Sequence, residues 1–259
     1  MIRSRRSQTP LFAIAASLAA FAAVIGGIYR RVMYPPLPRP DDERIRIAAV
    51  GDSNTYGAGM LFRGRTRRSY PARLEQLLGG QYQVLNYGVN RRTLQREGDL
   101  PYDATPFAAA SIAAEADIVL IMLGSNDARD GNWDASRFES ELEAFVDRFR
   151  ARGATVHLLT PPIAYENRLG VHWWIIEEEV APIVRRVAET LGVGLIDVFE
   201  ITRSCTRSHP DGIHLDARAS AIVAEAVAEE LQRPSRPAEQ TPSHTHPHGG
   251  SGPGSPVRA

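Results

Sequence analysis

Four short stretches of this 259-residue chain carry the residue types that acyl-transfer chemistry requires. The first, Gly51-Asp52-Ser53-Asn54-Thr55-Tyr56-Gly57, places a serine directly after a short apolar run. At a strand end ahead of a helix, the Ser53 hydroxyl would be exposed to a ligand, and the helix N-terminus would favour developing negative charge. Serine is equally a common helix N-cap, so this stretch alone leaves both readings open. The second, Asp211-Gly212-Ile213-His214, sets a carboxylate three residues before a histidine. Such a pair can fold back so that Asp211 binds one ring nitrogen and leaves the other as a base. The competing reading is an Asx turn that caps the final helix beside a surface histidine. Asn86-Tyr87-Gly88 and Gly124-Ser125-Asn126-Asp127 complete the set. Glycine lets a backbone amide approach a ligand, and Asn126 brings a side-chain amide; with the Ser53 amide, Gly88 and Asn126 would form an oxyanion hole. Each stretch also has ordinary turn composition. All the parts of one acyl-transfer device on four turns are harder to assign to turns alone.

These turns need a scaffold that brings them together. Ile45 to Val50, Tyr82 to Tyr87, Ile118 to Leu123, Ala154 to Leu159 and Gly194 to Asp197 read as strands, Ile118 to Leu123 being a continuous apolar run. Tyr70 to Leu78, Phe138 to Phe149, Trp174 to Leu191 and Ala217 to Leu231 have helical spacing. Repeated strand–helix units with right-handed crossovers imply a parallel sheet covered on both faces. Ligands in such sheets bind beyond the carboxyl ends of the strands, which is where the four stretches fall.

In this order, the four stretches resemble the blocks of the SGNH or GDSL hydrolase superfamily. Gly51-Asp52-Ser53 matches its nucleophile block, Gly88 its second-block glycine, Asn126 its third-block asparagine, and Asp211 with His214 its last block. The resemblance covers Arg46 to Leu231 and implies a flavodoxin-like three-layer α/β/α sandwich with a five-stranded parallel sheet. It implies that Ser53 attacks an ester carbonyl, His214 takes its proton, Asp211 orients the imidazole, and water hydrolyses the acyl-enzyme. No cofactor is implied. A finer resemblance is to bacterial sialate or carbohydrate O-acetylesterases, whose sequences carry stretches like Gly98-Asp99-Leu100-Pro101-Tyr102, Asp127 through Asn132-Trp133, Thr160-Pro161-Pro162 and Tyr165-Glu166-Asn167. Short acetyl esters of small molecules or glycans are then the expected substrates. A lysophospholipase- or thioesterase-like lipase, an envelope acyltransferase and a non-catalytic relative are the alternatives. The chain departs from the family at Arg91, where a second glycine is common, and at Leu215, where proline often follows the histidine.

Thirty basic residues balance thirty acidic ones, so charge gives no support to a nucleic-acid partner. Every basic residue is arginine. Arg63, Arg65, Arg67 and Arg68 follow the nucleophile block, and Arg91 with Arg92 follow Gly88. They would form a positive substrate rim with Trp133, or be solvated loop residues and, for Trp133, loop-root packing. Trp173 and Trp174 carry the same two readings, and Glu177 to Glu179 read as a solvated helix face. Cys205 is the only cysteine, which excludes an intrachain disulfide and a cysteine metal cluster. No metal ligand set stands at useful spacing.

The ends lie outside this scheme. Leu11 to Ile28 has no charge, with Arg3, Arg5 and Arg6 before it and Arg30 and Arg31 after it. Residues 1–32 read as a membrane anchor with the N-terminus in the cytoplasm, or as a signal segment cleaved near Ala20 and Ala22. In both cases the rest of the chain is exported. Residues 33–44 read as a proline-rich linker, 45–233 as the hydrolase domain, and 234–259 as a disordered tail containing His244, His246 and His248.

Overall fold

The computed structural model describes residues 9–33, 35–60, 64–205 and 207–233. The expected tail, its three histidines and Arg63 therefore lie outside the described residues. The N-terminal helix α1 (Thr9–Met33) is long and apolar enough to cross a membrane, and none of its apolar span is buried.

The remaining elements run β1 (Ile45–Gly51), α2 (Ser53–Tyr56), α3 (Gly64–Arg67), α4 (Tyr70–Leu78), β2 (Tyr82–Gly88), α5 (Pro106–Ala113), β3 (Ile118–Met122), α6 (Ala135–Arg150), β4 (Thr155–Leu159), α7 (Trp173–Ile175), α8 (Ala181–Leu191), β5 (Gly194–Ile196), α9 (Val198–Arg203) and α10 (Ala217–Gln232). The five strands form one sheet in the order β2-β1-β3-β4-β5, and every pairing is parallel. Side chains alternate across a strand, so β1 feeds two cores at once. Ala48 and Val50 join Phe138, Phe145, Phe149 and Val184 on one face. Ile47 and Ala49 join Tyr70, Leu74 and Val223 on the other. The result is the expected three-layer α/β/α sandwich with a five-stranded parallel sheet.

Spacing explains most of the helices. In α6 the buried residues Phe138, Leu142, Phe145, Val146 and Phe149 make one apolar stripe, and Asp134 caps the first turn by accepting the Arg137 amide. Three helices escaped the pattern, the four-residue α3 in the arginine-rich stretch after Ser53 among them. The Ala-rich α5 has no polar face to mark its period, although Thr105 caps it. The six-residue α9, capped by Asp197, is too short to show one. The expected helix from Trp174 to Leu191 begins at Trp173 and contains a π-type turn at Ile176–Val180.

Strand order reverses direction at β1, between its neighbours β2 and β3, and the carboxyl ends there form the natural crevice of such a sheet. Close packing shapes that crevice. A Cβ at Gly88 would stand 2.3 Å from the Tyr56 backbone nitrogen, and one at Gly51 would stand 2.5 Å from the Met122 carbonyl. Only glycine lets α2 settle onto the ends of β1 and β2. Gly88→Ala should therefore destabilise the protein by about 1–3 kcal/mol, the range for overpacking. Urea unfolding of the two proteins measures this, and an unchanged midpoint would contradict it.

Candidate active site

Ser53 follows β1 directly and opens α2, whose N-cap is Asp52 rather than the serine itself. Asp52 Oδ1 accepts the Asn54 amide at 2.9 Å, which leaves the Ser53 hydroxyl free of capping duty. The hydroxyl lies 2.9 Å from His214 Nε2, although 161 residues separate the two. Across the ring, His214 Nδ1 lies 2.6 Å from Asp211 Oδ2. Asp211 Oδ1 accepts the backbone amides of Ile213 and His214 at 3.1 and 2.8 Å. The Asp-x-x-His segment thus folds back on itself. It does not cap the last helix, where Asp216 accepts the Arg218 and Ala219 amides instead.

Protonation follows from these contacts. Burial would raise the Asp211 carboxyl, but the hydrogen bonds from His214 and Ile213 outweigh it and hold the group below its usual range. An ionised carboxylate only accepts hydrogen bonds, so the proton of neutral His214 resides on Nδ1. Nε2 then presents its lone pair to the Ser53 hydroxyl. This is the geometry of a hydroxyl nucleophile beside an oriented base.

Asn54, which sequence reasoning did not single out, holds the two halves together. Its Oδ1 accepts the Leu215 amide at 3.0 Å, and its Nδ2 reaches the Ile213 carbonyl at 3.5 Å. Leu215, standing where proline is common in the family, supplies that amide; proline could not. A Cβ at Gly59 would stand 2.2 Å from the Leu215 carbonyl, so the same loop packs tightly on the chain after α2.

Asn126 lines a cavity of about 330 Å³ together with Ser53 and His214. Its Nδ2 makes two long hydrogen bonds, to Asp52 Oδ2 at 3.3 Å and the Arg92 carbonyl at 3.2 Å. Asn132 Nδ2 supports it by donating to the Asn126 carbonyl and to Asp99 Oδ1. Gly88 does not line the cavity. Its amide donates to Asn86 Oδ1 at 2.9 Å, and its carbonyl accepts from Arg65 Nη1. The Gly88 amide is thus occupied by Asn86 as the structure stands, and the glycine also serves close packing, while Asn86 Nδ2 ties β2 to the Thr55 carbonyl.

The expected arginine rim is also redrawn. Arg65 is an internal strap; it donates to the Gly88 and Asn86 carbonyls and lies over the Tyr56 ring, and burial lowers it to about 10. Arg92 is 5% exposed, so it points inward and cannot form a rim. Trp133 is bound elsewhere, packing on Phe138 and donating from Nε1 to Glu179 at 2.8 Å. Trp173 and Trp174 are exposed but do not line the cavity. Arg91 does line it, in the left-handed conformation at φ 64°. Arg129, Arg168, Leu169, Val171 and Ile213 complete the wall. Arg129 and Arg168 carried no periodic signal, because each sits in an irregular loop whose path only the fold defines. Among the described residues, no group of three or more His, Cys, Asp or Glu side chains could hold a metal ion.

Two buried carboxylates underlie the site. Burial pushes Asp52 up, against the opposing effects of the Asn54 amide, Ser125, His214 and Arg129. Burial raises Asp127 to about 6, although the Gln95 and Leu94 amides donate to it. A raised folded-state value means that Asp127 contributes stability fully below its ordinary 3.8, and that this contribution is lost as pH rises through about 6. Asp127→Asn should therefore flatten the decline in stability between about pH 4 and 7, by about 1.4 kcal/mol per unit of the shift. Urea midpoints across that range test this, and parallel curves for the two proteins would refute it.

Residues 49–222 match the model of the GDSL-like lipase/acylhydrolase family. An acetylxylan esterase from Xylanibacter ruminicola is 30% identical over 213 residues, 74% of this chain. The chain spans 44% of that curated relative's length. Solved structures share the fold. A carbohydrate acetylesterase family member from Sinorhizobium meliloti aligns with a TM-score of 0.59 and 22% identity, covering 72% of this chain and 96% of that one. A lipase/acylhydrolase from Enterococcus faecalis aligns with a TM-score of 0.60 and 21% identity, covering 72% and 94%.

Proposed function

This chain belongs to the GDSL-like lipase/acylhydrolase family, and we propose that it is an exported serine esterase that hydrolyses short acyl esters, acetyl esters of carbohydrates above all. The observation that carries the reading is the continuous relay from Asp211 Oδ2 through the His214 ring to Ser53 Oγ, at 2.6 and 2.9 Å. Ser53 Oγ attacks the ester carbonyl as its proton passes to His214 Nε2. The imidazolium that forms is stabilised by Asp211. Negative charge on the carbonyl oxygen is met by the Ser53 amide and Asn126 Nδ2, whose present bonds are long enough to yield to a stronger, ionised acceptor. His214 then returns the proton to the leaving alcohol. Water, deprotonated by the same nitrogen, releases the acid and restores Ser53.

The acetyl assignment is supported by the acetylxylan esterase relative and by the small cavity. Only Leu169, Val171 and Ile213 give that cavity apolar wall, too little to bury a long chain. Export is supported by α1, whose exposed apolar surface includes Leu18, Phe21 and Ile25. In a helix of 25 residues it spans about 37 Å, more than a hydrocarbon core. Residues 1–32 would then anchor the chain, with the catalytic domain outside the cytoplasm.

With 4-nitrophenyl acetate as substrate, Ser53→Ala should remove nearly all turnover while leaving the unfolding midpoint in place. Substantial activity in Ser53→Ala would overturn the reading, and a preference for octanoyl over acetyl esters would overturn the acyl assignment. Asn126→Ala should lower kcat about 10²- to 10³-fold, the usual effect of losing an oxyanion donor. An unchanged kcat, measured at saturating ester, would make Asn126 a loop-holding residue only.

A further inference from the structure

Three of the nine residues around the Ser53 cavity are arginines, Arg91, Arg129 and Arg168, and none of the nine is acidic. They come from three separate loops, two of which are tied to each other. Arg129 and Val171 form an antiparallel bridge, and the His172 amide donates to the Ala128 carbonyl at 2.7 Å. The Arg168 loop is held from within by Asn167, which accepts the Leu169 and Val171 amides and donates to the Tyr165 and Val171 carbonyls. Arg91 occupies the left-handed region, a strained conformation for a residue with a Cβ. Strain of this kind persists where the surroundings enforce it and gathers at ligand sites.

The convergence is electrostatically unfinished. Arg129 has acidic neighbours in Asp99, at 4.0 Å, and in the buried Asp52, yet its Nε is buried without a hydrogen-bond partner. Arg91 lies close enough to oppose its charge. Neither Arg91 nor Arg168 forms a salt bridge among the described residues. By contrast, Arg185 is paired with Asp197 and Arg186 with Glu139. Three cations facing one cavity repel one another until an anion enters between them. Guanidinium forks suit the planar oxygens of a carboxylate or a phosphate.

From this geometry we infer that the alcohol half of the substrate carries an oxyanion group, carboxylate or phosphate, which Arg91, Arg129 and Arg168 bind while the ester reaches Ser53. The inference rests on the esterase reading and names its substrate class. A second cavity of about 450 Å³ adjoins the first and shares Arg168 and Leu169 with it, so the remainder of a larger acidic glycan has space beyond the charged site.

The test uses the detergent-solubilised full chain and measures acetate release from O-acetylated glucuronic acid, O-acetylated glucose 6-phosphate and O-acetylated glucose. At low salt, at least one anionic sugar should exceed the neutral one in kcat/KM by about tenfold or more, and the better of the two identifies the group. That advantage should shrink as salt rises. In Arg168→Gln, and separately in Arg91→Gln, the anionic-to-neutral ratio should fall towards parity, chiefly through KM for the anionic sugar. Equal efficiency on all three sugars, with turnover of the neutral one intact, would overturn this inference and leave the esterase reading standing. A ratio unmoved in both variants would also overturn it. Failure to release acetate from any of the three, or from 4-nitrophenyl acetate, would remove the esterase reading and this one with it.

Discussion

Asp52 is a carboxylate with 1% of its surface exposed, wedged between the carboxyl ends of β1 and β3, and the site hangs on it. One oxygen fixes Asn54, which in turn clamps the loop that delivers His214. The other accepts Asn126, which also reaches the Arg92 carbonyl. A backbone amide and a side-chain amide thus meet on a single buried acid, the first from the residue that reaches toward the base and the second from the residue that reaches toward the arginine loop. Burying such a group is costly unless its oxygens are matched by donors. The donors here are the parts that must be positioned, so the cost of burial becomes a constraint on their geometry.

The same economy appears one residue beyond Asn126. Asp127 accepts the Leu94 and Gln95 amides, and the Gln95 side chain donates to the Asn132 carbonyl. A loop with little regular structure between β2 and α5 is thereby pinned to the end of β3. Loops usually have low local stability because few buried contacts hold them. This one is held by charge-assisted hydrogen bonds to a buried acid, which gives the arginines behind and before it defined positions.

Much of this was legible in the residues. Five strands and the main helices follow from apolar periodicity, and Ser53, Asp211 and His214 meet as their types and spacing suggest. Each of those signals is local: a strand shows its period, and Asp211 reaches His214 within one turn. The failures share the opposite cause. Arg65, Arg92 and Trp133 are placed by side-chain direction and by partners distant in sequence, and composition cannot show where a side chain points. Arg129 and Arg168 come together only because Val171 bridges two loops that are far apart along the chain. Helix α5 was invisible for a different reason, since alanine on every face erases the contrast on which periodicity depends.

The absence of lysine acquires a chemical meaning once the arginines are seen around Ser53. A guanidinium is a planar, delocalised cation whose fork of donors meets two oxygens at once, whereas an ammonium is a compact point charge. Aminolysis is also foreclosed from within: no ε-amino group exists to capture an activated acyl carbon. A serine acylated in such a pocket is left to water or to an incoming hydroxyl, with no self-modification competing for it.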